Sequence, residues 1–160
     1  MMNKKIALIT GATSGIGEAC ARKFAEGGYN LILTGRNAQK LNAIAAELQQ
    51  TGVEVAALVF DVRQAEEAHK AWEGLDAAWQ QVDVLINNAG LALGLEKEYE
   101  GDPTDWEIMI DTNIKGLLTM TRLVVPGMVA RNQGHVINIG SVAGDAAYAG
   151  GNVYCATKAA

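Results

Sequence analysis

Apolar residues along this chain fall into five short, continuous runs separated by longer segments with helical spacing. The runs predict strands at Ile6–Thr10, Leu31–Thr34, Val53–Phe60, Val82–Asn87 and His135–Gly140. Continuous apolar runs are typical of strands buried on both faces of a parallel sheet. The intervening segments predict helices at Gly15–Glu26, Ala38–Gln50, Gln64–Gln80 and Thr104–Arg131. We therefore expect a single α/β domain over residues 1–160, a Rossmann-type doubly wound parallel sheet with helices on both faces and right-handed crossovers.

The last of these helices carries residues that interrupt a regular helix. Asp102 and Pro103 suit its start, because one accepts a capping hydrogen bond and the other fits the first turn. Gly116 and Pro126 lie inside it. Proline removes a backbone donor and both residue types favour kinks, so the segment is predicted to bend.

Composition and charge narrow the class of protein. The chain has 160 residues, of which 49% are hydrophobic, enough for a buried core. No apolar run approaches the ~20 residues needed to span a bilayer. The apolar run after MMNKK is also too short for the core of a signal peptide, so we expect a cytoplasmic protein without a membrane partner.

Neither nucleic acid nor a metal is expected as a partner. The net charge of −5 argues against a general nucleic-acid surface. Cys20 and Cys155 are far apart and outside any metal-binding array, so they are interpreted as reduced structural thiols. His69 and His135 are isolated and are predicted to lie at a helix surface and a strand edge.

Three glycines follow the first strand and open the first helix. Gly11, Gly15 and Gly17 form the spacing G-x-x-x-G-x-G. A helix that starts here directs its free N–H groups and positive dipole end toward the carboxyl end of the strand, where a pyrophosphate can bind. The glycines allow close approach of the backbone to that ligand. The alternative is a turn that only requires positive φ angles.

A cation follows the second strand, at Arg36. Enzymes that use NAD carry an acidic residue in this region, which holds the ribose 2′-hydroxyl. A carboxylate would repel a 2′-phosphate, whereas arginine pairs with it through a planar fork. The sequence therefore favours NADP as the cofactor, with a solvated loop arginine as the alternative.

Polar residues also end the third and fourth strands. Asp61 could accept from an adenine amino group, or it could cap the helix that begins near Gln64. Asn87-Asn88-Ala89-Gly90 places two amides and a turn at the centre of the sheet. A purely structural turn is the alternative for that segment, since Asn and Gly are common turn residues.

Tyr154 and Lys158 lie four residues apart, on one face if the segment is helical. An ammonium near a phenol stabilises the phenolate, so Tyr154 could work as a general acid or base. An exposed helix pair without chemistry is the alternative.

The order of these motifs, from Lys5 to the last residue, resembles the short-chain dehydrogenase/reductase family. The matching segments are T-G-x-x-x-G-x-G, N-N-A-G, Ser141 and Y-x-x-x-K. The resemblance implies that Ser141 hydrogen-bonds the substrate oxygen and that Tyr154 moves the hydroxyl proton. It also implies that Lys158 binds the nicotinamide ribose and assists the tyrosine. Asn113 matches an asparagine that holds a proton-relay water, or it simply bonds to nearby backbone.

The same resemblance implies a cofactor site that draws on every strand end. Its predicted residues are Gly11, Thr13, Ser14, Gly15, Ile16, Gly17, Arg36, Asp61, Val62, Asn88, Ala89, Gly90, Tyr154 and Lys158. Segments such as Met109–Asn113 and Tyr148–Tyr154 are similar to the subgroup that oxidises 3-hydroxy acids such as serine and allo-threonine, or reduces small semialdehydes, with NADP. Family members continue past the position of Ala160, so we expect further strands, a substrate loop and a homodimer or homotetramer in the complete protein.

Two other functions compete with this one. The first is a reductase of the same family that acts on another carbonyl, such as a 3-oxoacyl thioester or a sugar. The second is a nucleotide-binding sensor or scaffold without catalysis. The presence of Ser141, Tyr154 and Lys158 favours an enzyme over the sensor.

Overall fold

The computed structural model describes residues 4–160; the first three residues, which begin the MMNKK segment considered above, lie outside that range. The strands are β1 Ile6–Ile9, β2 Asn30–Gly35, β3 Val55–Val59, β4 Val84–Asn87 and β5 His135–Asn138. The α-helices are α1 Gly15–Glu26, α2 Ala38–Gln49, α3 Ala65–Glu73, α4 Pro103–Ile110, α5 Leu117–Arg131 and α6 Asn152–Ala159. Short 3-10 turns occupy Glu98–Glu100 and Val142–Gly144.

The five strands form one parallel sheet in the order β3-β2-β1-β4-β5. β1 is central, with β2 on one side and β4 on the other. The chain moves outward to β3, then returns past β1 to continue with β4 and β5. Such a reversal of strand order opens a crevice at the carboxyl ends of β1 and β4, where ligands of open α/β sheets bind. The predicted doubly wound fold is confirmed.

Side chains of β1 are buried on both sides of the sheet. Ala7 and Ile9 belong to a core cluster with the inner faces of α1 and α2. Ile6 and Leu8 belong to a second cluster on the opposite face, with residues of α3 and α5. Because both faces are covered, the strands carry unbroken apolar runs, and this is why the hydrophobic pattern located them within two residues at each end.

The third helix is shorter than the Gln64–Gln80 predicted from the sequence. α3 ends at Glu73, and the N–H of Gly74 donates to the Lys70 carbonyl at 3.1 Å. A turn follows, in which the Trp79 N–H donates to the Asp76 carbonyl at 2.9 Å. The Gln80 side chain then donates to the Trp72 carbonyl at 3.0 Å, so side-chain bonding replaces the helical pattern there.

The long fourth helix of the prediction is divided into α4, a π-helical segment at Asp111–Gly116, and α5. The interruption ends at Gly116, where an added Cβ would lie 2.9 Å from the Val62 Cγ2 atom. Glycine at this position therefore permits close packing against the loop after β3. α5 continues through Pro126, so this residue does not divide the helix. Asp102 caps α4 by accepting from the Thr104 N–H at 2.8 Å, as predicted.

Within residues 4–160, no helix combines the length and the apolar character that crossing a membrane would require.

Packing of the sheet generates a first prediction. Leu33 in β2 has no exposed surface, whereas Leu95 in the loop after β4 is 83% exposed. Leu33→Ala should lower the free energy of unfolding by about 2–5 kcal/mol, through lost burial and a residual cavity. The control Leu95→Ala should change it by less than about 0.5 kcal/mol. Urea unfolding of both variants measures the difference, and equal effects would contradict this assignment of the core.

Candidate active site

The glycine turn between β1 and α1 has the backbone geometry that its sequence predicted. Gly11 has φ +65° and Gly15 has φ +55°, values that side chains other than glycine rarely adopt. A Cβ at Gly17 would overlap both the Gly11 carbonyl oxygen and the Asn88 Nδ2 atom. The Ser14 side chain makes no capping hydrogen bond. The first N–H groups of α1 are therefore left for an anionic ligand.

Asn88 and Thr10 join this turn to the end of β4. The Asn88 side-chain amide donates to the Thr10 carbonyl at 2.9 Å and to the Gly11 carbonyl at 3.1 Å. In return, the Thr10 hydroxyl accepts from the N–H groups of Asn88 at 3.0 Å and Ala89 at 2.9 Å. The segment after β4 is thus a structural brace of the glycine turn, as one sequence interpretation held, and it also borders the cavity described next.

A cavity of about 520 Å³ lies at the carboxyl ends of the strands. It brings together all of the predicted site residues except Gly17 and Asn113, which are not among its lining residues. Gly17 lies behind the turn, packed against Gly11 and Asn88. Further lining residues that the sequence analysis did not assign to the site are Thr34, Gly35, Phe60, Leu91, Ala92, Thr112, Ile139 and Gly140.

The end of β2 combines a free cation with a position that has no room for a side chain. Arg36 lines the cavity and its side chain is 60% exposed. A Cβ at Gly35 would lie 2.7 Å from the Thr13 Cγ2 atom of the glycine turn. A side chain could therefore be accommodated at position 35 only if Thr13 moved.

Asp61, after β3, carries a carboxylate that Arg63 holds from the side. The Arg63 Nε atom lies 3.1 and 3.0 Å from the two carboxylate oxygens, and its Nη2 atom lies 2.6 Å from Oδ2. Burial by itself would raise the pKa of Asp61. The hydrogen bonds and charge of Arg63 outweigh that effect, and with a smaller contribution from Arg36 they lower this pKa below its ordinary value.

Ser141, Tyr154 and Lys158 line the inner part of the same cavity. Ser141 follows β5 and accepts a hydrogen bond from the Ala143 N–H at 3.2 Å. Tyr154 and Lys158 lie on α6, where the Lys158 ammonium donates to the Ile139 carbonyl at 3.0 Å. A Cβ at Gly144 would overlap the Lys158 carbonyl oxygen, so glycine there lets the turn after Ser141 pack directly against α6.

Asn113 lies in the π-helical segment and does not face the cavity. Its side chain pairs with both backbone groups of Leu91, accepting from the N–H at 2.9 Å and donating to the carbonyl at 2.9 Å. It also donates to the Thr157 hydroxyl at 2.9 Å, and that hydroxyl donates to the Tyr154 carbonyl at 2.8 Å. These contacts match the alternative in which Asn113 bonds to backbone, and they connect the loop after β4 to the helix that carries Tyr154.

Three residues with a role in this geometry were missed as site residues. Thr10 was visible only as the first letter of the glycine motif, and Thr157 as an unassigned position between Tyr154 and Lys158. Arg63 had no sequence signal beyond its place two residues after Asp61, because its pairing depends on how the loop turns.

Metal-ligating side chains do not cluster in the part of the chain that the structure describes: it contains no group of three His, Cys, Asp or Glu residues suited to an ion. His69 on α3 and His135 at the start of β5 are both exposed, at the helix surface and strand edge where the sequence placed them.

Known proteins with this arrangement can now be compared with the chain. A family model described as short chain dehydrogenase matches residues 5–160. The NADP-dependent 3-hydroxy acid dehydrogenase YdfG of Salmonella typhi is 54% identical over 154 residues, which cover 96% of this chain and 61% of the relative. Sulfoacetaldehyde reductase 2 of Chromohalobacter salexigens is 47% identical over 155 residues, again covering 96% and 61%.

A solved structure agrees with these sequence relatives. The closed form of a serine dehydrogenase complexed with NADP+ superimposes with a TM-score of 0.89 at 51% identity, over 96% of this chain and 61% of that chain. The chain thus spans about 61% of the length of the curated relatives it matches. With its glycine turn, its strand order and a family match from residue 5 to residue 160, the chain belongs to the short-chain dehydrogenase family.

Proposed function

We propose that this chain forms the cofactor-binding part of an enzyme that transfers a hydride between NADP(H) and a small 3-hydroxy acid or the corresponding semialdehyde. One observation supports this function above others: the glycine turn, Arg36, Ser141, Tyr154 and Lys158 all border a single cavity. The relatives named for 3-hydroxy acid and serine oxidation agree with it.

The residues of the cavity fit a dinucleotide. The positive φ angles at Gly11 and Gly15, and the overlap that any Cβ at Gly17 would cause, leave backbone N–H groups accessible to a pyrophosphate. Asp61 and Val62 lie at the far side of the cavity from Ser141 in the order of strands, where an adenine would be accommodated.

The end of β2 supports NADP over NAD. A carboxylate that would hold a ribose 2′-hydroxyl has no room at position 35, because Thr13 occupies that space. Arg36 is exposed and lies 3.8 Å from Asp61, longer than a direct hydrogen bond, so its guanidinium is available to a 2′-phosphate.

The chemistry assigned to the inner cavity is a carbonyl reduction and its reverse. NADPH supplies the hydride. Ser141 would donate a hydrogen bond to the substrate oxygen and stabilise the negative charge that develops there. Tyr154 would then give that oxygen a proton as a general acid, and Lys158 would stabilise the resulting phenolate by its charge.

Asn113 is proposed as a positioning residue, since its side chain holds the Leu91 backbone and Thr157. The proton-relay water assigned to it by resemblance stays a prediction. A cytoplasmic location and assembly as a homodimer or homotetramer are likewise proposals for the complete protein.

The proton donor can be tested by Tyr154→Phe in the complete protein. Loss of the phenolic proton should lower kcat by about 10²–10⁴-fold while NADPH binding stays nearly unchanged, because general acid catalysis contributes that much to such steps. Tyr29→Phe is a matched control: Tyr29 packs against Phe24 and does not line the cavity. Steady-state kinetics and NADPH fluorescence titration measure the two quantities. Turnover retained by Tyr154→Phe would remove Tyr154 from this role.

The cofactor preference can be tested by Arg36→Asp. Charge-assisted bonds to phosphate are worth about 1.5–3 kcal/mol, so the KM for NADPH should rise about 10- to 100-fold while that for NADH falls. Lys70→Asp makes the same change of charge on α3, away from the cavity lining, and should leave both values within about twofold. An unchanged ratio of the two KM values in Arg36→Asp would remove Arg36 from the phosphate site.

The substrate class can be tested with a panel of compounds under NADP or NADPH. We expect the highest kcat/KM for serine, allo-threonine, 3-hydroxypropionate or small semialdehydes. Sulfoacetaldehyde belongs in the panel because a relative at 47% identity is named for its reduction. A preference for 3-oxoacyl thioesters or sugars would contradict the proposed substrate class, and no turnover of any compound with intact NADPH binding would favour the non-catalytic alternative.

A further inference from the structure

Asp61 lies between two arginines at the edge of the cavity, and the two contacts are unequal. Arg63 binds both carboxylate oxygens with its side chain, and its backbone N–H donates to Oδ1 at 3.0 Å. Arg36 approaches the same carboxylate only to 3.8 Å. Arg36 lines the cavity, whereas Arg63 is not among the lining residues.

Burial makes this carboxylate a strong local charge. The Asp61 side chain is 18% exposed and that of Arg63 is 27% exposed, so both are screened less than surface groups. A carboxylate in this position, if it had no partner, would repel a phosphate bound to the neighbouring Arg36. It would also attract Arg36 itself, and the guanidinium would then be paired before a phosphate arrived.

Arg63 removes both effects by its geometry. Its planar guanidinium meets the two oxygens of Asp61 together, which is the pairing that makes arginine more effective than lysine at carboxylates. With both oxygens occupied, Asp61 leaves Arg36 with only a long contact and 60% of its side chain exposed.

We propose that Arg63 is a second determinant of selectivity for the 2′-phosphorylated cofactor, acting as a positioning residue that neutralises Asp61 and so leaves Arg36 free to bind the phosphate. This inference rests on the proposed use of NADP. It adds a residue outside the cavity to the selectivity of the site and predicts that the effect of Arg63 depends on the presence of the Asp61 carboxylate.

Binding of two adenine nucleotides to the complete protein separates the phosphate from the rest of the cofactor. The probes are 2′,5′-ADP, which carries the 2′-phosphate, and 5′-AMP, which lacks it, both followed by isothermal titration calorimetry. Arg63→Gln should weaken 2′,5′-ADP about tenfold or more and change 5′-AMP by less than about threefold, because only the former depends on a free Arg36. Arg63→Lys should fall between, since lysine keeps the charge without the fork.

The double variant Asp61→Asn/Arg63→Gln is the decisive arm. Removing the carboxylate removes the charge that Arg63 offsets, so 2′,5′-ADP affinity should return to within about threefold of the original. Arg22→Gln is the matched control, because Arg22 pairs with Glu18 and Glu47 far from the cavity lining, and it should change neither affinity. Thermal unfolding by circular dichroism identifies any variant that fails to fold, in which case Arg63→Lys and the double variant supply the result.

Three outcomes would overturn the inference. Equal weakening of both nucleotides by Arg63→Gln would mean that Arg63 only supports the adenine side of the site. No weakening of 2′,5′-ADP, or no recovery in the double variant, would mean that the carboxylate does not control Arg36. If the original protein bound 2′,5′-ADP no better than 5′-AMP, the NADP assignment itself would fail, and this result is distinguishable from the other two.

Discussion

Close approach of the backbone at the carboxyl ends of β1 and β4 is the constraint on which the rest of the site depends. The amide of Asn88 occupies the space beside Gly17, and its bonds to the carbonyls of Thr10 and Gly11 fix the turn in place. The return bonds from the Thr10 hydroxyl hold the segment after β4 in the same way. One polar cluster therefore sets both the anion-binding start of α1 and the neighbouring wall of the cavity.

A second set of close contacts positions the residues assigned to chemistry. The π-helical segment projects Asn113 toward Leu91 and Thr157, and Thr157 is bonded in turn to the backbone of Tyr154. Gly144 lets the turn after Ser141 approach the backbone of Lys158. The insertion of extra residues per turn in a helix is common at functional sites, and here it aims one buried amide at two separate segments of the cavity wall.

Sequence patterns predicted the parts of the molecule that follow from burial and local geometry. Strands buried on both faces gave unbroken apolar runs, and the three glycines revealed the turn. The end of α3 was wrong because Gly74 and the side-chain bonds of Gln80 stop the helix while the residue pattern continues. The division of the long helix was expected near Gly116 and Pro126, but only the former marks it, since its cause is packing against Val62.

The same distinction explains which site residues could be found from sequence. Residues that touch the cavity at strand ends, such as Arg36 and Asp61, are indicated by their position after an apolar run. Arg63 is not, because its effect arises from a loop that folds its guanidinium back onto the residue two before it.

The overall charge of −5 likewise gives no guide to the cavity, where an exposed Arg36, a neutralised Asp61 and the start of α1 together favour an anion. Affinity for a phosphorylated cofactor is decided by how these few groups are paired. A site of this kind is therefore altered more by breaking an ion pair behind its wall than by changing the net charge of the surface.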